Sequence, residues 1–291
     1  MDLSEINFAV LIASLIVAST PLVLAALGEL IVEKSGVLNL GVEGMMIIGA
    51  VSGFIVGVET GSAYIGMIAA AVAGALLSLL FSFIILIMQA NQVASGLALT
   101  IFGLGIAALM GHPYTGIKSP QISTISIPIL SEIPMFGTMF FQHDLIVYLS
   151  LISVLTIWYF LTRMRAGLIL RSVGEDHDVA HSLGYRVITI RFLAIVFGGA
   201  MAGVGGGYLS LFRVPQWTEG MTAGAGWIAL ALVVFSGWRP FRLLIGAYIF
   251  GGITILQLNL QAIGVNINIA VLSMAPYLSL IHISEPTRPV T

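Results

Sequence analysis

Cysteine is absent from this chain of 291 residues. That excludes disulfides, thiolate metal sites and cysteine nucleophiles. Charge is scarce as well: 8% of residues are charged against 58% hydrophobic, and mean hydropathy is +1.07. Soluble domains carry about 25% charged residues, so this chain cannot cover a water-facing surface in the usual way. No basic cluster offers itself to nucleic acid, and the net charge is −2. Reactive signatures are missing too, with no HExxH, no GxSxG and no GxxxxGKS/T phosphate loop. Membrane-enzyme chemistry and nucleotide hydrolysis by this chain therefore have no residues to rest on. The N-terminal MDLSEINFAVLIASLIVAS lacks the positive n-region and small-residue cleavage site of a signal peptide and reads as a retained first span.

What is present is a succession of apolar runs too long for barrel strands. They predict an all-α, polytopic membrane bundle of eight or nine transmembrane helices in a single domain, residues 1–278. The expected spans are 6–27 (with Pro21 inside), a glycine-broken span within 36–57, then 63–88, 93–110, 145–161, 192–211, 223–238 and 243–263. A Pro, Ser and Thr-rich stretch at 112–143 reads as a surface excursion with some strand or a short helix. A ninth span beginning near Pro276 has too few residues left to cross a core that needs about 20. Residues 279–291 accordingly read as a truncated or foreign tail.

Basic residues orient the bundle. With the N-terminus outside, Lys34, Arg163, Arg165, Arg171, Arg186, Arg191, Arg239 and Arg242 face the cytoplasm, and only Lys118 and Arg213 face outward. The positive-inside asymmetry selects that topology.

Two stretches carry functional expectations. GELIVEKSGVLNLGVEGMMIIGAVSGFIVG, residues 28–57, places Asn39 and Glu43 among glycines and apolar residues. A carboxylate at membrane depth costs about 2.5–3.5 kcal/mol on insertion scales, so it faces a bundle interior. At i, i+4 spacing the two would share a helix face, either lining a substrate path or satisfying backbone groups freed at the break. Trp227, with Phe212 and Trp217, stands either for base stacking near the outer side or for an aromatic belt. The run Gly198–Gly207 reads as close helix packing rather than a dinucleotide loop.

The second stretch, the loop 163–191, is RMRAGLILRSVGEDHDVAHSLGYRVITIR. Its acids suit a helix start and Gly184 suits a C-terminal cap, predicting a helix of about ten residues, ~15 Å long, over 175–184. Val179, Ala180 and Leu183 fall on one expected face. His177 and His181 at i, i+4 lack a clear third ligand and read as part of a solvated docking surface.

That loop resembles the EAA-type coupling loop of ABC-transporter permeases. With SGVLNLGVEGMMIIGA it resembles the branched-chain amino acid/ribose/nucleoside permease family, nearest the branch that imports nucleosides, guanosine among them, with a lipoprotein receptor. The resemblance implies a type II ABC importer permease of the bacterial cytoplasmic (inner) membrane. Its implied partners are a second permease (the same or different), two ABC ATPase subunits that use ATP and Mg, an extracytoplasmic substrate-binding lipoprotein, and membrane lipids. It implies no cofactor or metal on this chain and no nucleic-acid partner. Residues Glu175, Asp176, Val179, Ala180, Leu183 and Gly184 would couple to the ATPase, while Asn39, Glu43 and Trp227 are the candidate pathway residues. The family continues past an MxPYL-like sequence with a complete apolar span, whereas MAPYL here is followed by SLIHISEPTRPVT. Branched-chain amino acids or simple sugars as cargo, and an ion-coupled secondary transporter, stay open.

Overall fold

The computed structural model describes residues 8–120, 125–126, 133 and 136–262. The possible ninth span and the tail 279–291 lie outside the described residues. The chain runs through α1 (Phe8–Lys34), α2 (Val42–Thr60), α3 (Ala63–Ser82) and α4 (Gln92–Gly111). The excursion follows, with a two-residue strand pair, β1 (Ile125–Ser126) and β2 (Gln142–His143), around the short α5 (Phe136–Phe140). Then come α6 (Leu145–Arg163), α7 (Arg165–Glu175), α8 (His177–Ser182), α9 (Val187–Tyr208), α10 (Ala225–Phe235) and α11 (Pro240–Ala262). Helices α3 and α9 each end in a π-helical turn, Phe83–Ile87 and Leu209–Arg213.

Among the described residues, seven helices are long and apolar enough to cross a membrane: α1, α2, α3, α4, α6, α9 and α11. The expected span at 223–238 is instead an 11-residue helix, α10, about 16 Å long and half of what a crossing needs. The chain nonetheless descends through that depth. Leu211 lies against Gly57, toward the outer end of α2, and Gly226 bonds to Glu43 at the start of α2. About 21 Å of α2 separates those two levels, and residues 214–224 cover most of it as turns and irregular backbone. Such backbone is tolerated at membrane depth only where protein or a water-filled cavity surrounds it.

Helix α9 is the centre of the bundle, packed on α1, α2 and α3. Its glycines set the spacing. A Cβ on Gly203 would overlap the carbonyl of Ala70, and one on Gly206 would overlap the carbonyl of Met46. Backbones this close gain dispersion contact that lipid cannot replace, the reason small residues collect at membrane helix interfaces. The run read as close packing is packed that way.

Two of the basic residues meet the end of α1. Arg191 Nε donates to the Ser35 carbonyl at 3.1 Å, and Lys34 Nζ sits 5.6 Å from the centre of the Trp238 ring. Lys118 and Arg213 lie at the opposite end, where Lys118 bridges to Gln216.

Candidate functional site

The site grows from the loop between α1 and α2. Helix α1 runs seven residues past its expected end at residue 27, and Glu29 inside it is buried at the entry to the broken segment. The carboxylate has a partner there: Asn39 Nδ2 donates to Glu29 Oε2 at 3.2 Å and the Asn39 backbone N–H to Oε1 at 3.3 Å. Asn39 Oδ1 in turn accepts from Gly41 N at 3.1 Å, fixing the turn into α2. Other elements bond the rest of the loop. Gln92 of α4 accepts from Leu38 N at 2.9 Å, Thr100 donates to the Leu40 carbonyl at 3.1 Å, and Trp227 Nε1 reaches that carbonyl at 3.4 Å.

Asn39 and Glu43 do not share a helix face, because α2 begins only at Val42 and Asn39 belongs to the loop. They have separate partners. Glu43 Oε1 accepts from Thr222 Oγ1 at 2.6 Å and from Gly224 N at 2.9 Å, and Oε2 accepts from Gly226 N at 2.7 Å. The carboxylate therefore caps the start of α10. Four N–H groups at a helix start lack intrahelical partners, and the helix dipole favours negative charge there. Gly224, at φ +85°, turns the chain into that helix in a conformation that disfavours other residues.

Trp227 is on α10 beside the broken loop, its indole on Leu40, and not on the outer side. The residue stays 45% exposed. Trp217 is buried against Gly111, where a Cβ would overlap the indole. The sequence reading missed Glu29, Thr222, Gly224 and Gly226 as partners of the two polar residues. A signal was there in Thr-Ala-Gly-Ala-Gly, 222–226, small residues that leave backbone N–H groups bare at a helix start.

The loop 163–191 forms two helices rather than one over 175–184. Glu175 ends α7, and Asp176 breaks the run in extended conformation, φ −150°, with its side chain accepting from Asp178 N and Val179 N at 3.0 Å each. Asp176 is thus the N-cap of α8. Gly184, at φ +85°, closes α8 as expected, with its N–H on the His181 carbonyl at 2.8 Å. Val179 and Leu183 share the exposed face, Leu183 at 69%, while Ala180 is 1% exposed and turned inward. At about 100° per residue, Ala180 points about 100° from Val179 and about 60° from Leu183, while those two lie about 40° apart. His177 Nε2 lies 3.6 Å from Asp178 Oδ1. Helix α7 locks onto the broken loop, since a Cβ on Gly174 would overlap the Lys34 carbonyl. One unbroken set of contacts thus runs from α7 through residues 34–41 to Glu43 and α10.

A profile of the family described as "Branched-chain amino acid transport system / permease component" matches residues 11–281. The chain is 42% identical over 250 residues to a putative glucose ABC transporter permease of Haloferax volcanii, covering 84% of this chain and 76% of the relative. It is 34% identical to the guanosine ABC transporter permease protein NupQ of Bacillus subtilis, over 86% of this chain and 82% of that one. With the nucleoside ABC transporter permease protein NupC of Lactococcus lactis it shares 31% identity over 92% and 89%. No solved structure matches.

Proposed function

The chain belongs to the permease-component family of branched-chain amino acid transport systems, and on that premise we propose that it imports nucleosides or related ribosyl compounds. It is a multi-pass inner-membrane protein and an ABC permease, a membrane subunit and not itself an enzyme. In the proposed importer a second permease completes the pathway, two ATPase subunits use ATP and Mg, and an extracytoplasmic lipoprotein delivers the substrate. The observation that carries the reading is the α7–α8 segment. It leaves Val179 and Leu183 exposed while Gly174 is wedged against residues 34–36. An ATPase that grips α8 would move α7 as a lever, and the contacts through Asn39 and Glu43 would pass that movement to α10 and Trp227 beside the path.

Nucleosides as cargo are supported by the names of the Bacillus and Lactococcus relatives. The Haloferax relative favours a second reading, with a simple sugar as cargo. Both cargoes present a ring with several hydroxyl groups.

Val179→Glu with Leu183→Glu tests the coupling. The amount of ATPase that co-purifies is expected to fall by tenfold or more, equivalent to about 1.4 kcal/mol at the contact. Uptake of labelled guanosine into cells should drop alongside, with permease still reaching the membrane at wild-type level. An ATPase that never co-purifies, with uptake indifferent to the substitutions, would overturn the assignment.

A further inference from the structure

At the cytoplasmic end a cavity of about 470 Å³ opens between the end of α1, the broken loop, the start of α4, the end of α7 and Trp238. Among the described residues, two buried side-chain polar atoms have no hydrogen-bond partner, Glu33 Oε1 and Arg171 Nε. Both residues line this one cavity. Buried polar groups are almost always bonded, so two covered orphans of opposite character in the walls of one space mark walls that are not satisfied as they stand.

The remaining lining defines a partner that would satisfy them. Glu33 Oε2 accepts from Trp238 Nε1 at 2.5 Å, so half the carboxylate is anchored and the other half is unused. Gln92 holds Leu38 N with its Oε1, so the group it offers inward is the amide NH₂. Glu175 adds a second carboxylate to the wall, and Lys34 and Arg171 add positive charge. An anionic ligand would meet the carboxylates and a cationic one the basic groups. A neutral molecule rich in hydroxyls meets all of them well, because each hydroxyl donates to a carboxylate and accepts from guanidinium or amide. The volume falls in the range of about 300–1,000 Å³ usual for small-molecule sites.

We infer that this cavity is a cytosol-side binding site for the sugar moiety of the transported compound, and that its occupancy slows the importer. The inference rests on the importer reading above. Glu33 belongs to α1 and Arg171 to α7, the segment proposed to carry the ATPase's movement. A ligand bonded to both holds the two apart at the present spacing. A ligand that prefers one state shifts the population toward it, so product accumulating inside opposes the next cycle.

The test uses the complete importer, with both permeases, ATPase and receptor, in liposomes whose lumen faces the cytoplasmic side. ATP hydrolysis stimulated by substrate-loaded receptor is measured with guanosine, glucose or guanosine monophosphate in the lumen. Guanosine is expected to slow hydrolysis severalfold and the monophosphate to leave it unchanged; slowing by glucose instead supports the same site with a hexose as ligand. In Arg171→Gln and Glu33→Gln the half-inhibiting concentration is expected to rise about tenfold, one lost charge-assisted bond. Gln92→Glu keeps the acceptor for Leu38 but removes the donor amide, and should weaken inhibition without touching the buried pair. A wild-type importer indifferent to every luminal solute would mean that the cavity holds only water, and inhibition unchanged in all three variants would place it elsewhere. Either result overturns the inference. If receptor and substrate never stimulate hydrolysis, the importer reading fails and this inference falls with it.

Discussion

Glu43 directs both carboxylate oxygens at the start of one short helix, taking three donors from Thr222, Gly224 and Gly226. Glu43→Ala would leave those donors buried without an acceptor, at about 1–3 kcal/mol each. The variant is expected to unfold in detergent at least ~3 kcal/mol more easily than the wild type. Glu43→Gln keeps one acceptor oxygen but turns an NH₂ toward an N–H, so its loss should be intermediate. Thermal unfolding of the purified permease checks the order, and an alanine variant as stable as the wild type would refute the capping role. The sequence shows Asn39 and Glu43 as misfits in an apolar stretch, and both are buried and hydrogen-bonded. It does not show their partners. Glu43's donors lie 179 to 183 positions away, and two of the three are backbone N–H groups, which every non-proline residue carries.

At the scale of the element, α8 has six residues, well below the length at which an isolated helix holds in water. It stands on its ends and on Ala180. Asp176→Ala removes the cap for Asp178 and Val179, a loss of about 1 kcal/mol in a helix with little to spare. Uptake is expected to fall severalfold with Asp176→Ala and to survive Asp176→Asn, which can still accept both N–H groups. Limited proteolysis within 176–186 should separate the two variants in the same way, and equal resistance in both would argue against the cap. The end of α8 was legible because Gly184 takes a left-handed turn that suits glycine. Its start was not, because Glu175, Asp176 and Asp178 all suit a helix N-terminus, and only the fold decides which side chain meets two free N–H groups. Helix α10 misleads for a related reason. Its apolar residues count up to a span, but Glu43 satisfies its first N–H groups, so the helix can begin deep in the bundle and leave 214–224 irregular.

For the whole molecule, the arrangement of charge makes a topological claim that the absence of cysteine renders easy to test. Every thiol in a single-cysteine variant is the introduced one. His181 lies in α8 on the face with the basic residues, and Lys118 lies at the other end near Gln216. A membrane-impermeant maleimide added to intact cells should label Lys118→Cys and leave His181→Cys untouched until the membrane is opened. The more discriminating position is Glu219. It is exposed, and it sits on the irregular segment that descends between the levels of Leu211 and Gly226. A charged residue on a lipid-facing surface at that depth would be costly, and irregular backbone would leave its polar groups unpaired against hydrocarbon. Both costs vanish if the segment borders a water-filled cleft open to the outside. Glu219→Cys should therefore react with the impermeant reagent from outside, whereas Ile101→Cys, on the apolar outer face of α4, should not. Protection of Glu219→Cys from the outside, or labelling only after lysis, would mean that the segment is sealed by protein or reached from the cytoplasm. The descent of 214–224 would then be packing alone and not part of an outward-facing path.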